Sequence, residues 1–283
     1  MSRVKYFAKE IIINAFKTMY LITDEVILLF DKRIFCAAYN VRSLILGWEV
    51  RFKFNSDLDK YMATSGNIRQ YFLNKRQALN AYRISLARRC DYMKSVYHLD
   101  KIKLEPNDLI IDCGANVGDL HMLLKKDFQD VKYMAFEPSP SEFSCLRENA
   151  EGMSVFNQGL WNCESHLDFY VSSDGADSSF IKPRNFDRLQ KIRTTRLDQI
   201  ISSESKIKLL KIEAEGAEPE AIEGAENILK NVEYISADLG FERGEKQEST
   251  ICPVVNFLLA RNFELIDLTS GRLVALFRNR RFS

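Results

Sequence analysis

The residues that could do chemistry fall in two short runs. The first is Leu109-Ile110-Ile111-Asp112-Cys113-Gly114-Ala115-Asn116-Val117-Gly118-Asp119, an apolar strand pattern running into a glycine turn that opens a helix. Gly114 lets a ligand approach the backbone and can adopt φ > 0 without steric cost. Gly118 stands at the helix start, where N–H groups and the helix dipole attract negative groups. The order is D-x-G-x-x-x-G, not the G-x-G-x-x-G of a dinucleotide fingerprint, and Asp112 stands where a pyrophosphate would be repelled. An acid there suits a ligand with a cationic amino-acid tail. The next strand pattern ends Met134-Ala135-Phe136-Glu137-Pro138, where a carboxylate can accept hydrogen bonds from both ribose hydroxyls. Turn and acids together point to an adenosyl ligand with an aminoacyl tail. The second run, Lys211-Ile212-Glu213-Ala214-Glu215-Gly216-Ala217-Glu218, gathers three carboxylates within six positions. Such a cluster is costly unless a cation lies near.

Five stretches in order, DCGANVGD (112–119), FEPSP (136–140), RTTRLDQI (193–200), LLKIEAEGAE (209–218) and ISADLGFERG (235–244), resemble the FkbM family of class I methyltransferases, which depend on S-adenosylmethionine. The likeness covers roughly residues 105–280. It implies that Asp112, Gly114, Ala115, Asn116 and Gly118 line the methionine part of the cofactor and that Glu137 holds the ribose. It also implies that Asn157-Gln158-Gly159-Leu160 lies beside the adenine. The family pattern K-I-D-x-E-G-x-E has Glu213 here in the aspartate place. The cation that offsets the three carboxylates would be Lys211, an incoming sulfonium, an arginine, or a divalent ion held by oxygens. Methyl transfer to a hydroxyl needs that oxygen aligned with the sulfonium methyl and its proton removed. Glu213 is the first candidate for base or orienter, with Glu215 or Glu218 the alternative. The implied acceptor is a sugar, a glycan or another hydroxylated small molecule.

These residues need a scaffold that brings strand ends to one rim. From Glu105 onward, apolar runs at Leu109–Ile111, Tyr133–Phe136, Val155–Phe156, Leu167–Val171, Lys208–Ile212, Tyr234–Ala237, Phe263–Ile266 and Leu273–Phe277 read as strands. Helical patterns at Gly118–Asp127, Ser141–Ala150, Pro219–Asn231 and Ser249–Arg261 separate several of them. The alternation predicts an α/β fold with a doubly wound, mostly parallel Rossmann-like sheet, ending in an antiparallel hairpin around the Asp267–Arg272 turn. Upstream, residues 3–48 and Asp57 to Leu99 read as helical. The chain thus divides into a helical extension, 1–104, and a methyltransferase domain, 105–283.

Charge supports that division. The net charge is +1, yet residues 1–104 hold 19 Lys+Arg against 9 Asp+Glu, while 105–283 hold 21 against 30. The basic, Tyr-rich 57–104 segment is either a solvated helical face or a lid or platform for an anionic acceptor. No nucleic-acid-binding motif accompanies the charge. Six cysteines without CxxC spacing and three histidines give no zinc pattern and no metal assignment, and suggest free thiols in a reducing, cytosolic compartment. The apolar Ile11–Phe30 stretch is broken by Lys17, Asp24 and Glu25, so it reads as no membrane span, although a peripheral membrane contact through 3–30 stays open. Asp198 reads as a structural cap, Glu242-Arg243 as either an ion pair or a substrate-facing arginine, and Gly175–Phe180 as either a polar loop or a wall of the acceptor pocket. The rival functions are an NAD-dependent oxidoreductase, disfavoured by the missing fingerprint, and a non-catalytic adenosyl-binding scaffold.

Overall fold

The computed structural model describes residues 23–128, 130–172 and 178–282. Most of the 3–30 helix and membrane-contact reading, and residues 173–177 of the polar loop, lie outside the described residues.

The central element is a seven-stranded sheet. Its strands are β4 (Leu109–Cys113), β5 (Lys132–Phe136), β6 (Ser154–Phe156), β10 (Ile207–Ile212), β11 (Val232–Asp238), β12 (Phe263–Leu268) and β13 (Val274–Asn279). Their order is β12-β13-β11-β10-β4-β5-β6. β13 runs antiparallel to both of its neighbours, and β10, β4, β5, β6 and β11 are mutually parallel. β4 and β10 each bury four successive residues because both sheet faces are covered. That is the doubly wound architecture with its terminal antiparallel hairpin.

The N-terminal part departs from the helical expectation. It contains α1 (Lys32–Ile45), then an antiparallel meander of β1 (Arg51–Asn55), β2 (Lys60–Ser65) and β3 (Ile68–Phe72), then α2 (Lys75–Tyr82) and α3 (Leu86–Val96). The expected helix from Asp57 is therefore strand as far as Phe72. The cause is a period-two pattern, in which Phe52 opposes Ala63, and Tyr61 opposes both Phe54 and Phe72. The aromatic face packs on α1, with the Tyr39 and Phe52 rings stacked at 3.9 Å. Asn74 caps α2 by accepting a hydrogen bond from Gln77 N at 2.9 Å. One apolar cluster joins Phe35, Tyr39 and Leu86 to Ile110, Leu123 and Leu209, so both parts share a core.

A second correction concerns Leu167–Val171. β8 (Ser165–Val171) leaves the main sheet and pairs with β9 (Arg188–Thr195), which also carries β7 (Gly159–Leu160). β9 escaped sequence reading because its exposed face is charged, with only Ile192, Thr194 and Thr195 buried. The remaining helices are α4 (Asp119–Asp127), α5 (Pro140–Asn149), α6 (Leu197–Ile200), α7 (Glu218–Glu223) and α8 (Ile251–Leu259). The helix expected over 219–231 is α7 followed by a 3₁₀ turn, Glu226–Asn231.

Candidate active site

After β4 the chain builds β5 and β6 on one side, then returns to place β10 on the other. The crevice beyond the ends of β4 and β10 is thus a topological switch point, where open α/β sheets bind ligands. A cavity of about 860 Å³ opens there. The turn after β4 and the turn after β10 touch: a Cβ on Gly114, whose φ is +73°, would lie 1.8 Å from the Glu213 carbonyl oxygen. Only glycine fits. Gly118, at φ +92°, lets the chain enter α4.

Lys211 is the electrostatic centre. Its ammonium, on a side chain 2% exposed, lies 2.9 Å from Asp112 Oδ1 and 3.1 Å from Glu213 Oε2, and donates to the Gly114 carbonyl at 2.8 Å. Burial alone would favour losing its proton, but Asp112 and Glu213 reverse this and hold the proton more firmly than usual. Asp112 Oδ2 accepts a hydrogen bond from the Tyr133 hydroxyl at 2.7 Å. Glu213 also pairs with Arg272, which reaches in from the β12–β13 turn and binds Asp238 as well. Burial opposes ionisation of Glu213, yet Lys211, Arg272 and the Tyr97 hydroxyl prevail and hold its carboxyl at about 2. So deep a depression suits an orienting charge and makes a poor proton acceptor at neutral pH.

Glu137 closes the other side. Its oxygens accept from Asn116 N at 2.7 Å and Ser139 N at 2.8 Å, while burial, outweighing these bonds, pushes its carboxyl up to about 8. Two N–H bonds leave lone pairs over for a ligand's hydroxyls.

Of the residues expected to hold a cofactor, Asp112, Gly114, Ala115, Asn116, Glu137, Gly159 and Leu160 line the cavity; Gly118 and Gln158 do not. Gly118 instead sets the backbone of the turn. Of the four expected at the reacting centre, Lys211, Glu213 and Glu215 line it. Glu218 lies outside the lining. Its buried carboxylate accepts from Ala214 N at 2.9 Å, Gly216 N at 3.1 Å and Thr250 Oγ1 at 3.0 Å, so it ties the turn into α7. Asp198 is held by Arg196 at 2.6 Å and accepts from Asn227, a structural clamp. Arg243 makes its ion pair with Glu220, at 2.6 Å, not with Glu242. Among the described residues no group of three or more His, Cys, Asp or Glu is arranged to hold a metal ion.

The cavity's outer wall was not foreseen residue by residue. It comes from the basic N-terminal part, with Arg83, Arg88, Arg89 and Tyr92 contributed by α3 and the turn before it. Arg89 binds Asp119 at 2.6 Å, and the Tyr82 hydroxyl donates to the same carboxylate at 2.5 Å. Arg272, Tyr97 and Glu242 were also missed as site residues. A polar hairpin turn, a helix-end tyrosine and a loop acid carry no spacing signal of their own.

Residues 112–265, more than half of the chain, match the methyltransferase FkbM domain. The chain belongs to the FkbM methyltransferase family. It is 33% identical over 78 residues to the 31-O-demethyl-FK506 methyltransferase FkbM of Streptomyces tacrolimicus, 28% of each chain. It is 26% identical over 141 residues to the hexuronic acid methyltransferase AglP of Haloferax volcanii, 48% of this chain and 57% of that one. This FkbM-family chain thus spans less than two thirds of the length of each of these relatives. A TehB-like SAM-dependent methyltransferase structure from Corynebacterium glutamicum shows 15% identity and a TM-score of 0.39, over 69% of this chain and 96% of that one.

Proposed function

We propose that the chain is an S-adenosylmethionine-dependent methyltransferase acting on a hydroxyl of a sugar, glycan or other hydroxylated small molecule. The observation that carries this reading is the Asp112–Gly118 turn, packed so closely on Glu213 that only glycine fits, beside a Glu137 carboxylate with lone pairs to spare. A cavity of about 860 Å³ lies within the roughly 300–1,000 Å³ common for small-molecule sites. These features fit an adenosyl ligand: Glu137 would take the ribose hydroxyls, Gly159 and Leu160 the adenine side, and Gly114 to Asn116 the methionine part. Bound there, the cofactor supplies an electrophilic methyl group on a sulfonium.

The chain's own residues then position and shield. Lys211, fixed by Asp112, holds Glu213 in place, and Arg272 fastens the same carboxylate to the hairpin turn. Glu213 acts as an orienting charge. The basic 1–104 part serves as the acceptor platform for the 105–283 domain. The acceptor is read as anionic, because Arg88 on the cavity wall has no ion-pair or hydrogen-bond partner among the described residues. The hexuronic acid named for the Haloferax relative supports the same class. Among the described residues no helix is long and apolar enough to cross a membrane. A cytosolic location is proposed on the unpaired state of the six cysteines.

The test is transfer of labelled methyl from S-adenosylmethionine to hexuronic-acid oligosaccharides and to their neutral counterparts. The expected outcome is label on the acidic sugars that survives alkali, as an ether does. Alkali-labile label would mark a carboxyl ester, and label on neutral sugars alone would contradict the anionic acceptor.

A further inference from the structure

Every other acid whose partners are known at the cavity is already engaged. Asp112 is matched by Lys211, and Glu213 by Lys211 and Arg272. Glu137 is held by two backbone N–H groups, Asp119 by Arg89, Tyr82 and Gln70, and Glu142 by the hydroxyls of Ser139 and Ser141. Glu242 differs. It lines the same cavity, half-buried, and among the described residues it has neither a hydrogen bond nor an ion pair. It stands in the loop after β11, the strand next to β10, so it approaches the crevice from the flank opposite Glu137.

We propose that Glu242 takes the proton of the acceptor hydroxyl, an assignment that rests on the methyl-transfer reading. In this step the acceptor oxygen bonds to the methyl carbon as the methyl–sulfur bond breaks, its electron pair staying on sulfur to leave a neutral thioether. The hydroxyl proton passes to the Glu242 carboxylate and from there to solvent.

The surroundings suit that task. The charged groups around Glu242 are Asp238 at the end of β11, Glu218 at the start of α7, Glu213 after β10 and Arg272 from the hairpin turn. Burial first, then the three carboxylates, push its carboxyl up to about 8, with Arg272 opposing. A base is most effective when its conjugate acid titrates near the working pH. Glu213, held near 2, is far from that range.

The experiment is calorimetric binding of S-adenosylmethionine and S-adenosylhomocysteine to wild type, Glu242→Gln and Glu242→Asp between pH 6.5 and 9.5. A sulfonium near Glu242 favours its charged form, by about a pKa unit or more for an opposite charge at close range. Wild-type affinity for S-adenosylmethionine should therefore tighten roughly tenfold or more as pH rises through 8. Affinity for the neutral thioether should not follow. Glu242→Gln should lose that difference while still binding S-adenosylhomocysteine, and Glu242→Asp should keep it. The same pH dependence for both ligands in wild type, or its survival in Glu242→Gln, would overturn the assignment. Should the glutamine variant fail to fold, an aspartate variant without the difference overturns it equally. Wild type binding neither ligand would remove the methyl-transfer reading, and this assignment with it.

Discussion

At the scale of single residues, two contacts set the shape of the site. Gly114→Ala must place a methyl where the Glu213 carbonyl oxygen stands and hold a non-glycine residue at φ +73°. The backbone conformation alone costs about 1–3 kcal/mol. Thermal unfolding should register a loss at least that large, and a variant with unchanged melting temperature would show that the two turns are not locked together. Lys211→Met strands Asp112 and Glu213 without their shared cation. Removing one partner of a buried pair costs about 3–5 kcal/mol. Adding Asp112→Asn should recover part of it in denaturant unfolding, and additive losses would refute the coupling. Titration gives a third expectation, with opposite signs for different acids. Glu213, depressed from 4.5 to about 2, adds stability present above pH 4.5 and lost as pH falls towards 2. Glu137 and Glu242, raised to about 8, bind protons longer in the fold than in the unfolded chain. They therefore remove stability as pH climbs from 4.5 to 8. Melting temperature measured across that window should fall less steeply in Glu242→Gln than in wild type.

At the scale of elements, Asn149 at the end of α5 ties β3 to the turn after β4. Its amide donates to the carbonyls of Tyr71 and Val117, and its oxygen accepts from Tyr71 N at 2.7 Å. Asn149→Ala should cost about 1–3 kcal/mol by leaving those groups unpaired. It should also weaken S-adenosylhomocysteine binding, because Val117 belongs to the turn; a stability loss without any change in affinity would separate meander from site. The parallel core was readable because buried strands such as Ile110-Ile111 and Leu209-Leu210 announce themselves as apolar runs between helical patterns. The meander was not, because the aromatic and cationic alternation of Arg51–Phe54 is short, and the Lys, Arg and Tyr content beyond it masked the period of two. β9 was hidden by its charged outer face. The glycine turn after β4 was legible from Asp112, Gly114 and Gly118, since spacing and residue type both constrain it. Partners such as Arg272 and Tyr97 were not, because they arrive from sequence-distant elements, and only tertiary packing decides which carboxylate each one meets.

At the scale of the whole molecule, the basic N-terminal part and the acidic remainder share one core and one cavity, which gives the charge asymmetry a job. If the Arg88 wall recruits an anionic acceptor, its binding should weaken with added salt, whereas cofactor binding, enclosed between strand ends, should barely respond. Arg88→Ala should flatten the acceptor's salt dependence; an unaltered dependence would move recognition elsewhere. The most direct test of the central claim is calorimetric binding of S-adenosylhomocysteine to wild type and to Glu137→Ala, with NAD as control. The expected result is micromolar binding of S-adenosylhomocysteine alone, weakened by about 1–3 kcal/mol in Glu137→Ala, as leaving a buried hydrogen-bonding group unpaired would give. Binding of NAD instead, or S-adenosylhomocysteine affinity indifferent to Glu137, would contradict the account.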